Sequence, residues 1–202
     1  MSIPPLIGDS KGVYRVHIVG HSGSGKSTLG KELASLLGVP YFGLDEFFWK
    51  PNWEQATADE FRAKLRAALA ASPNGWVVDG NYSKKTQDIV VDPATDQIWL
   101  DPPVLLCLKR VLVRTFSRIL RRTEPCSPGC YEGWKSFFSR DNIILYTLEY
   151  FWVVRRREGA RFAATGVKEG ADFSVRKMRR FGGWGGELRV WLAEVREMVR
   201  SR

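Results

Sequence analysis

A glycine-rich segment near the start of the chain has the residue types and spacing of a phosphate-binding loop. It reads Gly20-His21-Ser22-Gly23-Ser24-Gly25-Lys26-Ser27-Thr28, which fits the pattern G-x-x-x-x-G-K-[ST]. Glycines let the backbone curl so that successive amides point at phosphate oxygens. Lys26 would reach the β- and γ-phosphates of a nucleoside triphosphate, and the Ser27 hydroxyl would ligate magnesium. We therefore predict that this segment binds ATP with Mg²⁺ and that Lys26 is catalytic.

The residues on both sides of this loop predict the elements that hold it. Val13–Val19 is apolar and β-branched, which predicts a buried strand, and His17 within it is expected to be packed. Ser27–Leu37 has leucines at helical spacing and is followed by Gly38, a typical helix stop. A glycine-rich turn can match the loop pattern by chance, but these flanks favour phosphate binding. His21 is expected to point away from phosphate, because such loops act through their amides.

Carboxylates follow three other predicted strands. Asp79 ends a strand over Trp76–Val78, where an acid can hold the magnesium shell, although an aspartate before glycine also suits a turn. Asp101 also ends a strand and is the alternative for magnesium. Asp45 follows a strand over Val39–Leu44, on the side where an acceptor hydroxyl would be oriented or deprotonated. The alternative for Asp45 is that it only caps a helix.

Arginines follow the strand over Gln97–Leu100. Arg110, Arg114 and Arg118 are four residues apart, so they share one face of a helix predicted from Pro102 to about residue 122. Arginine forks suit phosphate oxygens and neutralise charge during transfer, which makes Arg114 and Arg118 catalytic candidates and Arg110 a nucleotide-binding candidate. The alternative is a solvated helix face.

The remaining pattern predicts a single domain over residues 1–202. Strands alternate with helices, which predicts a three-layer α/β/α phosphate-loop NTPase with a parallel sheet of about five strands and a helical lid region. Residues 1–12 are expected to form a loose tail and residues 123–133 a lid loop. The other predicted elements are a helix opened by a Thr57–Glu60 capping box, a helix over 134–157, a possible fifth strand at Phe173–Val175, a flexible joint at 182–186 and a last helix over 188–199.

Composition limits the classes of function. The 202 residues carry a formal net charge of +9, which fits either a nucleic-acid partner or arginines gathered around a polyphosphate. The basic runs 155–157 and 176–180 leave this choice open, since they also suit solvated helix ends or closure over a triphosphate. No apolar run approaches the ~20 residues of a membrane span, and no secretory signal is evident. Three cysteines form no disulfide framework, which favours a reducing, cytoplasmic compartment; Cys126 and Cys130 are expected to be free thiols.

Four blocks of sequence resemble the adenylate-kinase-related proteins often labelled "DNA topology modulation protein". They are Ile18 to Thr28, Leu44-Asp45 with Phe48-Trp49-Lys50-Pro51 and Trp53, Trp76-Val77-Val78-Asp79-Gly80-Asn81-Tyr82, and Ile98-Trp99-Leu100-Asp101 with Arg110 and Arg114. The resemblance covers about residues 13–150 and implies a nucleotide kinase fold with a mobile lid. It also implies that Arg110 lies near the nucleotide base and Arg114 near its phosphates.

The chain departs from true adenylate kinases after the strand that ends at Asp79. Those enzymes are similar there but read Asp-Gly-Phe-Pro-Arg, whereas this chain reads Asp79-Gly80-Asn81-Tyr82-Ser83. The arginine that would grip the acceptor's phosphate is missing, with Lys84 or Lys85 as substitutes. We expect a kinase that transfers the γ-phosphate of ATP to a small acceptor, for example a nucleotide or nucleoside. The alternatives are a nucleic-acid-associated NTPase and a nucleotide-binding module without transferase activity; ATP or GTP preference and oligomeric state stay open.

Overall fold

The structure is a computed structural model that describes residues 4–133, 143–168, 170 and 175–201. Five parallel strands form the central sheet in the order β2-β5-β1-β6-β7, and β3 and β4 form a short antiparallel ribbon. The strands are β1 (Tyr14–Gly20), β2 (Tyr41–Gly43), β3 (Trp49–Lys50), β4 (Glu54–Gln55), β5 (Gly75–Asp79), β6 (Asp96–Asp101) and β7 (Met178–Gly182). The helices are α1 (Lys26–Leu37), α2 (Leu44–Phe48), α3 (Ala58–Ala70), α4 (Ser83–Thr86), α5 (Val104–Ile119), α6 (Ile143–Thr165) and α7 (Gly186–Arg200).

Helices cover both faces of the sheet, which gives the predicted three layers. Successive side chains of a strand point to opposite faces, and β5 shows this clearly: Val77 packs in one core, whereas Trp76 and Val78 pack in the other. The first core joins the sheet to α1 and α7, for example through Leu33 and Trp191. The second joins it to α2 and α3. Strands β5 and β6 are buried along their whole length, as expected for a parallel sheet covered on both faces.

The register of the sheet brings the carboxyl ends of the central strands to one edge. Ile18 of β1 is opposite Asp79 of β5, and Gly20 is opposite Leu100 of β6, so Asp101 lies one residue further. The phosphate loop begins where β1 ends. The sheet therefore places the loop between two strand-end carboxylates, at the crevice where open α/β sheets bind ligands.

Most predicted elements are confirmed, including the capping box of α3. The Thr57 hydroxyl accepts a hydrogen bond from the Glu60 amide at 3.2 Å, and the Thr57 amide donates to the Glu60 carboxylate at 2.9 Å. Helix α1 ends at Gly38, whose φ of 66° satisfies the left-handed cap. The helix predicted to end near residue 157 instead continues to Thr165 as α6. Its predicted first residues, 134–142, lie outside the described residues.

The fifth strand lies later than predicted, at Met178–Gly182 instead of Phe173–Val175. Phe173 and Ser174 lie outside the described residues. Strand β7 contains Arg179 and Arg180, and two adjacent arginines are typical of a solvated segment. Both guanidinium groups are paired with carboxylates of the neighbouring strand β6, so their charges are compatible with an edge strand.

The N-terminal residues are attached to the domain, although residues 1–12 were expected to form a loose tail. Leu6 is buried in the first core, and the amides of Ile7 and Gly8 donate to the Asp96 carboxylate at 2.7 and 3.0 Å. Residues 1–3 lie outside the described residues. In the described part of the chain, no helix has the length and apolar character that crossing a membrane requires.

Candidate active site

The phosphate loop can be built only with glycine at two of its positions. At Gly20 (φ 150°), a Cβ atom would lie 2.4 Å from the Leu100 carbonyl oxygen of β6. At Gly23 (φ 76°), a Cβ atom would lie 2.4 Å from the carbonyl oxygen of Cys107 in α5. Both carbonyl oxygens belong to the backbone and cannot move aside. The loop therefore packs closely between β6 and α5, which fixes the direction of its amides.

Lys26 lies in the centre of the site. Its ammonium group donates to the carbonyl oxygens of Gly20 and His21 at 3.0 and 2.9 Å. Burial lowers the pKa of Lys26, whereas the charges of Asp79 and Asp45 act in the opposite direction. Both predicted carboxylates are therefore close enough to interact with the same ammonium group.

Asp79 lies with Ser27 at the predicted magnesium position. Its side chain is buried, and the Tyr41 hydroxyl donates to its Oδ2 atom at 2.7 Å. Burial and the Asp79 charge raise the pKa of Tyr41, and Ser27 acts on it in the opposite direction. Tyr41 was not among the residues predicted from the sequence.

Asp101, the alternative magnesium acid, is occupied by cationic partners. Its Oδ2 atom is 2.6 Å from Arg180 and 3.4 Å from Arg155. Its Oδ1 atom is 3.8 Å from Nε2 of His21, whose ring stacks on Phe151 at 4.2 Å. Burial raises the pKa of Asp101, but the neighbouring His21 and the hydrogen bonds from Arg180 outweigh it, so the pKa lies below its ordinary value. The His21 side chain thus faces Asp101 and α6, as its predicted orientation away from the phosphates requires.

Asn81 fastens the loop to the end of β5. Its amide nitrogen donates to the Gly20 carbonyl at 2.7 Å, and its amide oxygen accepts from the Gly20 nitrogen at 3.2 Å. The preceding carbonyl, that of Gly80, is 3.1 Å from Nε2 of the buried His17. The resemblance includes the Asp-Gly-Asn-Tyr block, but it predicts no role for Asn81. The feature that could have indicated one is an amide side chain two residues after β5, the strand that pairs with β1.

Asp45 lies in the first turn of α2 and accepts a hydrogen bond from the Tyr82 hydroxyl at 2.8 Å. The Tyr82 ring is fixed by Phe48 and Phe61, at centroid distances of 4.9 and 5.4 Å. Gly43 is the N-cap residue of α2, and no side chain caps this end of the helix. Asp45 therefore does not cap the helix, and the hydroxyl of Tyr82, which belongs to the aromatic cluster, holds its carboxylate.

Helix α5 brings two of the three predicted arginines to the phosphate loop. Arg110 donates to the carbonyls of Ser24 and Gly23 at 3.2 and 3.4 Å. Arg114 donates to the Ser22 hydroxyl at 3.1 Å, and its Nε is buried without a hydrogen-bond partner among the described residues. Burial, together with the like charge of Arg118, lowers the pKa of Arg114. An arginine in this state is suited to an incoming anion.

Arg118 is one turn further along α5 and is held away from the loop. Its guanidinium forms an ion pair with Glu132 at 2.9 Å and donates to the Glu124 carbonyl at 3.2 Å. Both partners belong to the predicted lid loop. In this arrangement Arg118 binds the lid, and a direct role in catalysis requires that the ion pair with Glu132 opens.

The predicted lid loop is fastened to the ribbon, and we call the contacts between residues 126–131 and 49–53 the clasp. Four hydrogen bonds form it: Ser127 Oγ to the Trp49 carbonyl, Cys130 Sγ to the Lys50 carbonyl, the Asn52 amide to the Gly129 carbonyl and Trp53 Nε1 to the Tyr131 carbonyl, at 2.8, 3.1, 3.1 and 3.2 Å. Among the described residues, the non-glycine residues with positive φ are Asn52, Trp53 and Arg121. Two of them lie in the clasp and Arg121 lies shortly before it in sequence, so backbone strain is concentrated in this region.

The oxygen donors near the phosphate loop are of the kind that magnesium prefers. In residues 4–133, 143–168, 170 and 175–201, no three His, Cys, Asp or Glu side chains are grouped so that they could hold a metal ion. Cys126 and Cys130 are free thiols, and burial raises the pKa of Cys126 to about 11. Magnesium needs only one or two protein oxygens, because phosphates and water supply the rest of its shell. The Ser27 hydroxyl and the Asp79 carboxylate provide such oxygens at the loop.

Most of the basic charge of the two runs is bound internally. Lys177 donates to the carbonyls of Val91, Asp92 and Ala94. The arginines have the following partners: Asp101 for Arg155 and Arg180, Glu158 for Arg157, the Gly170 carbonyl for Arg176, and Asp96 for Arg179. These residues hold α6 and β7 to the sheet. Their positions favour neither solvated helix ends nor a free cationic surface for nucleic acid.

Comparison with known proteins establishes the fold. No protein-family model matches the chain, and no curated protein is significantly similar to it in sequence. Shikimate kinase from Acinetobacter baumannii, solved in complex with shikimate, is 14% identical with a TM-score of 0.50 over 94% of this chain and 95% of that one. A candidate kinase from Chloroflexus aurantiacus is 18% identical with a TM-score of 0.50 over 94% and 98%. The chain therefore has the fold of P-loop kinases, as predicted, while the narrower family resemblance stays a prediction.

Proposed function

We propose that this chain is a magnesium-dependent kinase that transfers the γ-phosphate of ATP to a hydroxyl group of a small acceptor. The observation that carries the proposal is a second carboxylate near the phosphate loop. Asp79 accepts a hydrogen bond from Tyr41 and Asp45 accepts one from Tyr82, and both charges act on the pKa of Lys26, against the burial that lowers it. A binding module without transfer has no need of the second carboxylate.

The donor half of the site would hold ATP through the amides of residues 20–28. Lys26 would move from the Gly20 and His21 carbonyls to the β- and γ-phosphates. Ser27 and Asp79 would hold magnesium, which when bound neutralises charge on the phosphate oxygens. Arg110 lies against the loop backbone, where it would contact the nucleotide.

The acceptor half would carry out the transfer. Asp45 would take the proton of the acceptor hydroxyl as its oxygen bonds to the γ-phosphorus, and the bond from that phosphorus to the bridging oxygen would break to release ADP. Lys26 and Arg114 would stabilise the charge on the transferred group. The hydrogen bond from Tyr82 keeps one Asp45 oxygen occupied and leaves the other for the proton.

We expect a small acceptor, because the clasp joins the lid loop to the ribbon that follows Asp45 and α2. After burial, the Asp45 charge is among the causes that raise the pKa of Cys126, which supports a lid loop near the proposed base. Lys85 is the nearer substitute for the missing acceptor arginine, since its ammonium lies 4.4 Å above the Phe48 ring within the aromatic cluster. The acceptor class that these residues suit is a nucleotide, a nucleoside or a small hydroxylated metabolite.

A panel of such acceptors, supplied with ATP and magnesium, tests the proposal through ADP release that depends on the acceptor. Asp45→Asn preserves the acceptor atom for Tyr82 but removes the base, so its rate should fall by about 10²- to 10⁴-fold. Asp59→Asn, on the exposed first turn of α3, is the matched control and should retain activity. ADP release at the same rate with and without every acceptor, or full activity in Asp45→Asn, would refute the proposal.

A further inference from the structure

We infer that Tyr41 is a positioning residue of the magnesium site, where its hydroxyl orients the Asp79 carboxylate for the cation. This inference rests on the proposed function, because it assumes that magnesium binds with the nucleotide at Ser27 and Asp79. Tyr41 is on the edge strand β2, opposite Val77 of β5, and the sequence alone gives it no role beyond packing.

The fold reserves a space for the Tyr41 ring. The ring lies against Gly30 of α1, where a Cβ atom would be 2.6 Å from the ring carbon Cε2. Glycine inside a helix costs about 1 kcal/mol relative to alanine, and Gly30 has ordinary helical neighbours on both sides. At Gly43 a Cβ atom would be 3.2 Å from the hydroxyl. Two glycines thus leave room for this ring and its hydroxyl.

The hydroxyl contacts the carboxylate that the magnesium prediction requires. It lies 2.7 Å from Asp79 Oδ2. A phenol is protonated at neutral pH and a carboxylate can only accept, so Tyr41 donates its proton to Asp79.

This hydrogen bond prepares the Asp79 carboxylate for a cation. The hydrogen bond to Oδ2 fixes the rotation of the Asp79 carboxylate and leaves Oδ1 for the water shell of the cation. Groups that orient ligands in this way typically change metal affinity by 10- to 100-fold when they are removed.

The test separates the magnesium contribution from nucleotide binding as such. Calorimetry gives the Kd of a non-hydrolysable ATP analogue in EDTA and its Kd as the magnesium complex. The ratio of the Kd in EDTA to the Kd with magnesium measures how much magnesium strengthens binding. Tyr41→Phe should lower this ratio by about tenfold relative to wild type while the Kd in EDTA changes less than about twofold. Tyr14→Phe is the control, because it removes the hydroxyl of another buried tyrosine, which donates to the sulfur of Met198 at 3.8 Å, a residue outside the phosphate site.

A second variant keeps the inference testable if Tyr41→Phe folds poorly. Gly30→Ala retains the tyrosine but pushes its ring from the helix, so it should lower the same ratio. An unchanged ratio in both variants would overturn the inference, and so would a higher ratio in Tyr41→Phe, which would mean that the hydroxyl competes with the cation. A wild-type ratio near one would overturn the magnesium site itself and with it the proposed function.

Discussion

Protonation of His17 should destabilise the protein as the pH falls below neutrality. His17 is in the centre of the sheet and is 1% exposed, and burial lowers its pKa from 6.5 to about 4. The positive charges of Arg161, Lys177 and Arg157 act in the same direction. The structure therefore favours the neutral imidazole, with its Nε2 proton donated to the Gly80 carbonyl at 3.1 Å.

The sign and size of the effect follow from the two pKa values. Because the folded-state value is the lower one, the unfolded chain binds a proton first as the pH falls. Stability from His17 is complete above pH 6.5 and is lost progressively between pH 6.5 and 4. The full loss corresponds to about 3 kcal/mol, of which about 2 kcal/mol should appear between pH 7 and 4.5.

Urea unfolding followed by tryptophan fluorescence measures this loss. His17→Gln is the comparison, since its amide can still donate to the Gly80 carbonyl but does not titrate. Carboxylates titrate in both proteins, so the difference in slope between wild type and variant isolates His17. Parallel curves of unfolding free energy from pH 7 to 4.5 would refute the reasoning.

Two further predictions concern the metal and the lid. Asp79→Asn should retain the fold, because Tyr41 can still donate to the amide oxygen, but kcat/KM at low magnesium should fall about tenfold or more and recover in part at high magnesium; unchanged kinetics at low magnesium would assign the metal to Asp101. Cys130 is buried and its thiol is part of the clasp, so its alkylation requires that the clasp opens. Saturation with a non-hydrolysable ATP analogue and magnesium should slow this alkylation several-fold. The alkylation of Cys107 should stay slow throughout. Equal Cys130 rates with and without the analogue would show that the clasp ignores nucleotide.

The parts of the site that depend on local spacing could be predicted from the sequence. The phosphate loop combines its glycines, lysine and serine in eight consecutive residues, and its strand and helix are immediate neighbours. The positions of Asp79 and Asp45 at the edge of the sheet could be predicted, because Asp79 ends β5, Asp45 is two residues beyond β2, and parallel strands end at one edge. The Thr57–Glu60 capping box is local in the same sense.

The parts that depend on distant partners could not be predicted. Arg179 and Arg180 look solvated until β6 supplies Asp96 and Asp101, more than 75 residues away in sequence. Arg118 shares a helix face with Arg114, but Glu132 of the lid loop binds it. Tyr41 has the appearance of an ordinary strand residue, and only the space at Gly30 and the contact with Asp79 distinguish it.

The destination of the γ-phosphate tests the central claim most directly. Wild-type protein, magnesium and ATP labelled with ¹⁸O in the γ-phosphate are incubated with a deproteinised extract of small metabolites, and mass spectrometry identifies the compounds that gain labelled phosphate. We expect one acceptor, or a few related acceptors, to carry the label as a phosphate ester. Lys26→Ala should give no such product, because it lacks the charge proposed to contact the β- and γ-phosphates. Label found only in inorganic phosphate, or equal transfer by Lys26→Ala, would contradict it.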